Sequence, residues 1–225
     1  MSPLHRYSVA KSRWRTAHEA ELATLEDQES VTRHLYMRKS SWANLIISLK
    51  GFIDFCSSTR VLDIGGGSTS VFLGLRQGKK YVVDPNLDHF FQRYPFAREL
   101  PEYKDVNFIS LPIEEAVFDK AFDVIFSINA LDHMANLRAV VSKLDELLAP
   151  SGTLVLVVDC YADQLVARII RFFDVDPPHP HHLVAGDIQR LFTGYGLLKR
   201  DDSIYHIIDA VPSGGDARDT SISFD

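Results

Sequence analysis

Between residues 60 and 160 the chain alternates short apolar runs with longer helical stretches, and this rhythm limits the fold more than any other feature. "RVLDI", "KYVVDP", "DVNFISLP", "FDVIFSINA" and "TLVLVVDC" are compact apolar runs. Runs of that kind suit strands buried on both faces of a parallel sheet. Parallel strands need long crossovers, and the intervening helical stretches supply them. The late segment "LLKRDDSIYHIIDAV" reads as two strands joined by a tight polar turn, an antiparallel hairpin at the sheet's edge. The expected architecture is a three-layer α/β sandwich with a mostly parallel seven-stranded sheet.

Two helical stretches precede the sheet. Residues 12–27 form the first. The second runs from Ser30, the expected N-cap, to Phe55, with Leu35, Trp42, Leu45, Ile46, Leu49 and Ile53 on one face. Residues 1–56 are expected to form an N-terminal helical cap and 57–211 the main domain. Residues 212–225, "PSGGDARDTSISFD" from Pro212 onward without its first aromatic until Phe224, read as a disordered tail. Within the main domain, "VFLGLRQG" suits a short helix stopped by Gly78, "HFFQRYPFA" another, and "NLRAVVSKLDELL" an amphipathic helix with a Pro-Ser-Gly exit.

The stretch "VLDIGGGSTS", residues 61–70, puts three glycines directly after a strand. A phosphate-binding P-loop needs a lysine and a hydroxyl after its last glycine, and here Val71 and Phe72 follow. The dinucleotide fingerprint needs G-x-G-x-x-G; Gly65 and Gly67 fit, but Ser70 holds the third position. Asp63 would also repel a pyrophosphate. A ligand with a sulfonium and an ammonium group would instead be attracted to it, and S-adenosylmethionine carries both. Asp84, at the end of the next strand, follows Gly65 at the spacing of an acidic residue that binds ribose hydroxyls.

On these residues the chain resembles the class I S-adenosylmethionine-dependent methyltransferases, a Rossmann-like superfamily. "VLDIGGGST" is similar to that family's first motif and "VVDP" to its second. "LPIEEAVFDKAFDVIFSINALDHM" and "LDELLAPSGTLVLVVD" resemble the stretches from strand three to strand five. The resemblance implies a cofactor site made of Asp63, Gly65, Gly66, Gly67 and Ser68 in the loop, and Asp84 with Pro85 at the second strand. It adds Ile113 and Glu114 for the adenine, and Asn129 and Ala130 along the cofactor. Two positions depart from the pattern: Thr69 replaces the loop's last glycine, and Pro112 stands where an acidic residue commonly contacts the adenine. Arg38 or Tyr36 is expected to reach the cofactor carboxylate.

Catalytic candidates follow from the same frame. Asp132 and His133 come just after the fourth strand, whose tip borders the transferred methyl group in this family. They face substrate or cap the next helix. "HPHHL", residues 179–183, can fold over the open sheet edge, and His133 and His181 are the candidate general bases. No metal is expected at His179, His181 and His182, because no nearby Cys or Glu completes a ligand set. "DPPH", residues 176–179, lies after the fifth strand and not the fourth, so it is not the related motif of amino-methylating enzymes.

The net charge is -6 and no basic patch stands out, which favours a small-molecule oxygen or nitrogen acceptor over nucleic acid. No apolar run approaches a membrane span or a signal sequence, so no membrane partner and a cytoplasmic location are expected. Cys56 and Cys160 read as reduced, packed thiols. A NAD(P)-dependent oxidoreductase and a non-catalytic binding protein of the same fold are the alternatives. The oligomeric state is not legible.

Overall fold

The computed structural model describes residues 7–23, 27–173, 176–201 and 205–209. Five parallel strands form the body of one sheet: β1 (Arg60–Ile64), β2 (Lys79–Val83), β3 (Val106–Ile109), β4 (Phe122–Ile128) and β5 (Leu148–Val157). Their spatial order is β3-β2-β1-β4-β5. β6 (Gly196–Asp201) and β7 (Tyr205–Asp209) run antiparallel, with β7 beside β5. The expected tail, 212–225, lies outside the described residues.

Alternate strand residues point to opposite faces, and both faces are buried here. Val61, Val82, Val124, Phe126 and Val155 enter one core with α2 (Gln28–Ser48) and α3 (Leu87–Arg93). Leu62, Val83, Ile125, Leu154 and Leu156 enter the other with α5 (Leu137–Leu147) and α7 (Ala185–Leu191). The remaining helices are α1 (Lys11–Ala23), α4 (Pro95–Arg98) and α6 (Gln164–Phe173). α2 contributes Val31, Leu35, Trp42 and Leu45 to the first core, so it is built into the sheet's packing.

Several local expectations are corrected. α2 begins at Gln28 because Asp27, not Ser30, is its N-cap: the Asp27 carboxylate accepts from the Glu29 and Ser30 amides. The helix ends at Ser48, short of Phe55, and the chain turns at Gly51 with φ +92°. "HFFQRYPFA" breaks into α3 and α4 at Tyr94, the residue before Pro95, where proline disfavours helical geometry. The Pro-Ser-Gly exit is absorbed into β5.

No α-helix forms between β1 and β2. Two 3₁₀ turns, Gly67–Thr69 and Val71–Leu73, replace the expected one. Side chains satisfy the amides a helix would have to pair: Asp63 accepts from Val71 and Ser70 Oγ from Phe72. α2 also lies against the segment, since a Cβ on Gly74 would sit 2.4 Å from the Ala43 nitrogen. Cys56 and Cys160 are exposed free thiols, not packed ones.

Candidate active site

The strand order reverses at β1, so the tips of β1 and β4 open a crevice beyond their carboxyl ends, the usual ligand position in such sheets. Gly65 leaves β1 with φ +68°, and its amide bonds back to the Val83 carbonyl at 2.8 Å. A Cβ there would lie 2.3 Å from Ala130 Cβ. Only glycine lets the two tips come this close. Gly66 passes over Asp63, and a Cβ on it would meet Asp63 Oδ2 at 2.5 Å.

Asp63 has a role that the sequence reading did not foresee. Its Oδ2 accepts from Ser70 Oγ at 2.6 Å and from the Val71 amide at 3.0 Å. The carboxylate therefore pins the far end of the glycine loop. Burial pushes its pKa up to about 7. It also lines the crevice.

Asp84 sits at the tip of β2. Its Oδ1 accepts from the Asn86 amide at 2.7 Å and its Oδ2 from the Gly67 amide at 3.0 Å. Burial raises its pKa to about 6. Each carboxylate oxygen has two acceptor sites, and these bonds use one on each.

The crevice has two chambers. The larger, about 270 Å³, takes in Asp63, Gly65, Gly66, Gly67 and Ser68, together with Asp84 and Asn129. The smaller, about 60 Å³, is walled by Pro85, Ile113, Glu114, Ala130 and His133. Gly65, Asp84, Asn86 and Asn129 border both, which makes them one groove. Burial raises the Glu114 pKa. Asn129 closes β4 at φ +48°, a left-handed conformation that asparagine tolerates better than most residues, and its amide bonds to the Val157 carbonyl.

The N-terminal helices wall the groove with residues that the sequence reading assigned only in part. Arg38 lines the larger chamber, whereas Tyr36 is exposed and away from it. Trp42, read only as a core position, donates its Nε1 hydrogen to the Thr69 carbonyl at 2.5 Å and holds the loop from above. From α1, Trp14 Nε1 donates to the His133 carbonyl at 3.0 Å, and His18 Nδ1 pairs with Asn86 Oδ1 at 3.0 Å. Glu21 borders both chambers. The signal was there: positions 14, 18 and 21 share one helical face.

The catalytic candidates separate. His133 lines the smaller chamber. Asp132 and His181 line neither chamber. His181 is buried, its Nε2 pairs with the Met134 carbonyl at 2.9 Å, and its own amide donates to the Asp132 carbonyl. Burial drives its pKa down to about 4. The ring splints the His-rich loop to the turn after β4 and is not positioned as a base for the groove. Asp132 is buried, and burial raises its pKa.

The groove fits S-adenosylmethionine. The glycine backbone leaves room that side chains would fill, and the Asp84 carboxylate stands beside the loop at the groove's edge. The comparisons agree. The structure is similar to the YcgJ protein of Bacillus subtilis, with 22% identity over 71% of each chain and a TM-score of 0.59. It is also similar to the N-methyltransferase NodS of Bradyrhizobium japonicum in complex with S-adenosylhomocysteine, with 14% identity over 81% of this chain and 97% of that one, TM-score 0.55. A third similar fold is the plantazolicin methyltransferase BpumL, seen with a monoazolic desmethylPZN analog and S-adenosylhomocysteine (15% identity, 81% and 74% covered, TM-score 0.56). At these identities the likeness shows the fold. No curated protein matches the sequence. The family model of a methyltransferase domain matches residues 17–199, most of the chain. The chain therefore belongs to the methyltransferase domain family and is a class I S-adenosylmethionine-dependent methyltransferase.

Proposed function

We propose that the enzyme methylates an oxygen or nitrogen atom of a small molecule. The observation that carries this reading is the single groove running from the glycine loop, past Asp84, to His133 beyond β4. S-adenosylmethionine supplies a methyl group on a sulfonium, a built-in leaving group. The chain's own task is binding and alignment. Gly65, Gly66, Gly67 and Ser68 give backbone contact. Asp84 holds the ribose hydroxyls, and Pro85, Ile113, Ala130 and Glu114 enclose the adenine. Asn129 lies beside Gly65 at the junction of the chambers, and Arg38 faces the cofactor carboxylate.

His133 is the proposed general base when the acceptor is a hydroxyl, and a neutral amine needs less help. The helices of residues 1–56 act as a cap over the groove and shape the acceptor's approach. The charge of -6 argues against nucleic acid as the acceptor. Among the described residues no helix is long and apolar enough to cross a membrane. The free thiols suit the cytoplasm. One similar structure is an N-methyltransferase, which supports a nitrogen acceptor, and another was seen with a monoazolic desmethylPZN analog.

The test has two stages. Calorimetric titration should show S-adenosylhomocysteine binding one to one and NAD not binding. A panel of small amines and hydroxyl compounds should then yield a methylated product by mass spectrometry. Binding of NAD in place of S-adenosylhomocysteine would overturn the reading.

A further inference from the structure

Beside the groove, two loops bring three metal-ligating side chains together. Asp132 and His133 come from the turn after β4. His179 comes from the loop between α6 and α7. One donor atom from each lies within 4.8 Å of the others. His179 Nε2 is 3.8 Å from Asp132 Oδ2, and the His133 and His179 rings are 4.5 Å apart.

We propose that Asp132, His133 and His179 form a binding site for a divalent first-row transition ion such as Zn²⁺. Two imidazoles and one carboxylate are a donor set that such ions accept. In a tetrahedral zinc site, bonds of ~2.0–2.1 Å put neighbouring donors ~3.3 Å apart. The donors lie within 4.8 Å of one another, so binding draws the two loops together by roughly 1.5 Å at most.

Two further observations point to a ligand. The Asp132 side chain is only 7% exposed, yet its Oδ1 has no hydrogen-bond partner. A buried acceptor left open costs free energy that a cation would recover. The second is the setting of His179. Its Nδ1 pairs with Asp176 Oδ1 at 2.7 Å, and Tyr161 donates its hydroxyl hydrogen to Asp176 Oδ2 at 2.6 Å. A carboxylate behind a histidine fixes the ring and leaves Nε2 free to ligate, the common arrangement around metal-bound imidazoles. His181 completes the scaffold by tying the two loops together through the Met134 and Asp132 carbonyls.

Within the His-rich loop alone the ligand set is incomplete. The structure draws them from two loops. Three protein donors leave a position for water or for an oxygen of the acceptor. That last role rests on the methyltransferase reading and would take the place of the base role of His133, whose ring nitrogen the ion then occupies; ion binding itself does not rest on that reading.

The experiment is calorimetric titration of the chelator-treated full chain with Zn²⁺, and with Co²⁺ followed by its visible absorption. The expected result is one ion per chain with a dissociation constant near or below ~1 μM. Asp132→Asn and His179→Ala should each weaken binding by at least about tenfold, and Asp176→Asn by about tenfold. His89→Ala, at an exposed histidine on α3, should change nothing. His179→Ala decides the matter if the buried Asp132 variant fails to fold. Zn²⁺ affinity unchanged in His179→Ala, or a cobalt spectrum of the free aqueous ion, would overturn the site. S-adenosylhomocysteine titrated in parallel separates the two readings. Its binding without Zn²⁺ binding refutes the metal alone, and Zn²⁺ binding without it refutes the cofactor groove alone.

Discussion

Asp84 Oδ2 accepts a hydrogen bond from the Gly67 amide at 3.0 Å, and this contact joins the tip of β2 to the loop that follows β1. The residue proposed to bind the ribose is thus also the one that holds the glycine loop in place. Asp84→Ala should lower S-adenosylhomocysteine affinity by about tenfold or more, from lost hydrogen bonds to a charged group. Calorimetry on the folded variant checks it, and unchanged affinity would sink the assignment.

Gly65→Ala tests the close approach of the strand tips. The added Cβ would meet Ala130 at 2.3 Å on a backbone with φ +68°. Overpacking and backbone strain together should cost roughly 2–4 kcal/mol. A melting temperature within two degrees of the wild type would show that the tips can part freely.

The two histidines should respond differently. His133→Ala is expected to lower kcat by ~10²-fold with a hydroxyl acceptor and to leave S-adenosylhomocysteine affinity within about threefold. His181→Ala removes a buried ring and its bond to Met134, so the melting temperature should fall. Its effect on cofactor affinity should be small. The opposite pattern would make His181 the base.

Asp63 gives a pH prediction. Its folded pKa, about 7, lies above the ordinary value of 3.8. Between those limits the folded state holds the proton more tightly than the unfolded chain does. Asp63 therefore costs stability as pH rises through that window, and the cost is complete above about 7. Asp63→Asn lacks the titration. Its melting temperature relative to wild type should become more favourable from pH 5 to pH 8. A difference independent of pH would refute the buried, titrating carboxylate.

The parts legible in the sequence were those written in neighbouring residues. The glycine loop, Asp84 and the apolar strands each announce themselves over a few positions. Where two distant segments decide the matter, the sequence was silent. Nothing near Asp63 says that its carboxylate would cap the turn at Val71 and so displace a helix. Nothing near His181 says that its ring would face the Met134 carbonyl, while His179, two residues earlier, meets Asp132. Trp14, His18 and Glu21 share a helix face, but a mixed polar and aromatic face looks like solvent exposure until the groove beneath it is known.

The contact of Gly65 with Ala130 also governs how such a chain can drift over generations. A side chain at 65 would lie 2.3 Å from the Ala130 Cβ. While Ala130 stands where it does, position 65 is closed to every residue but glycine, and any side chain placed there would force the strand tips apart.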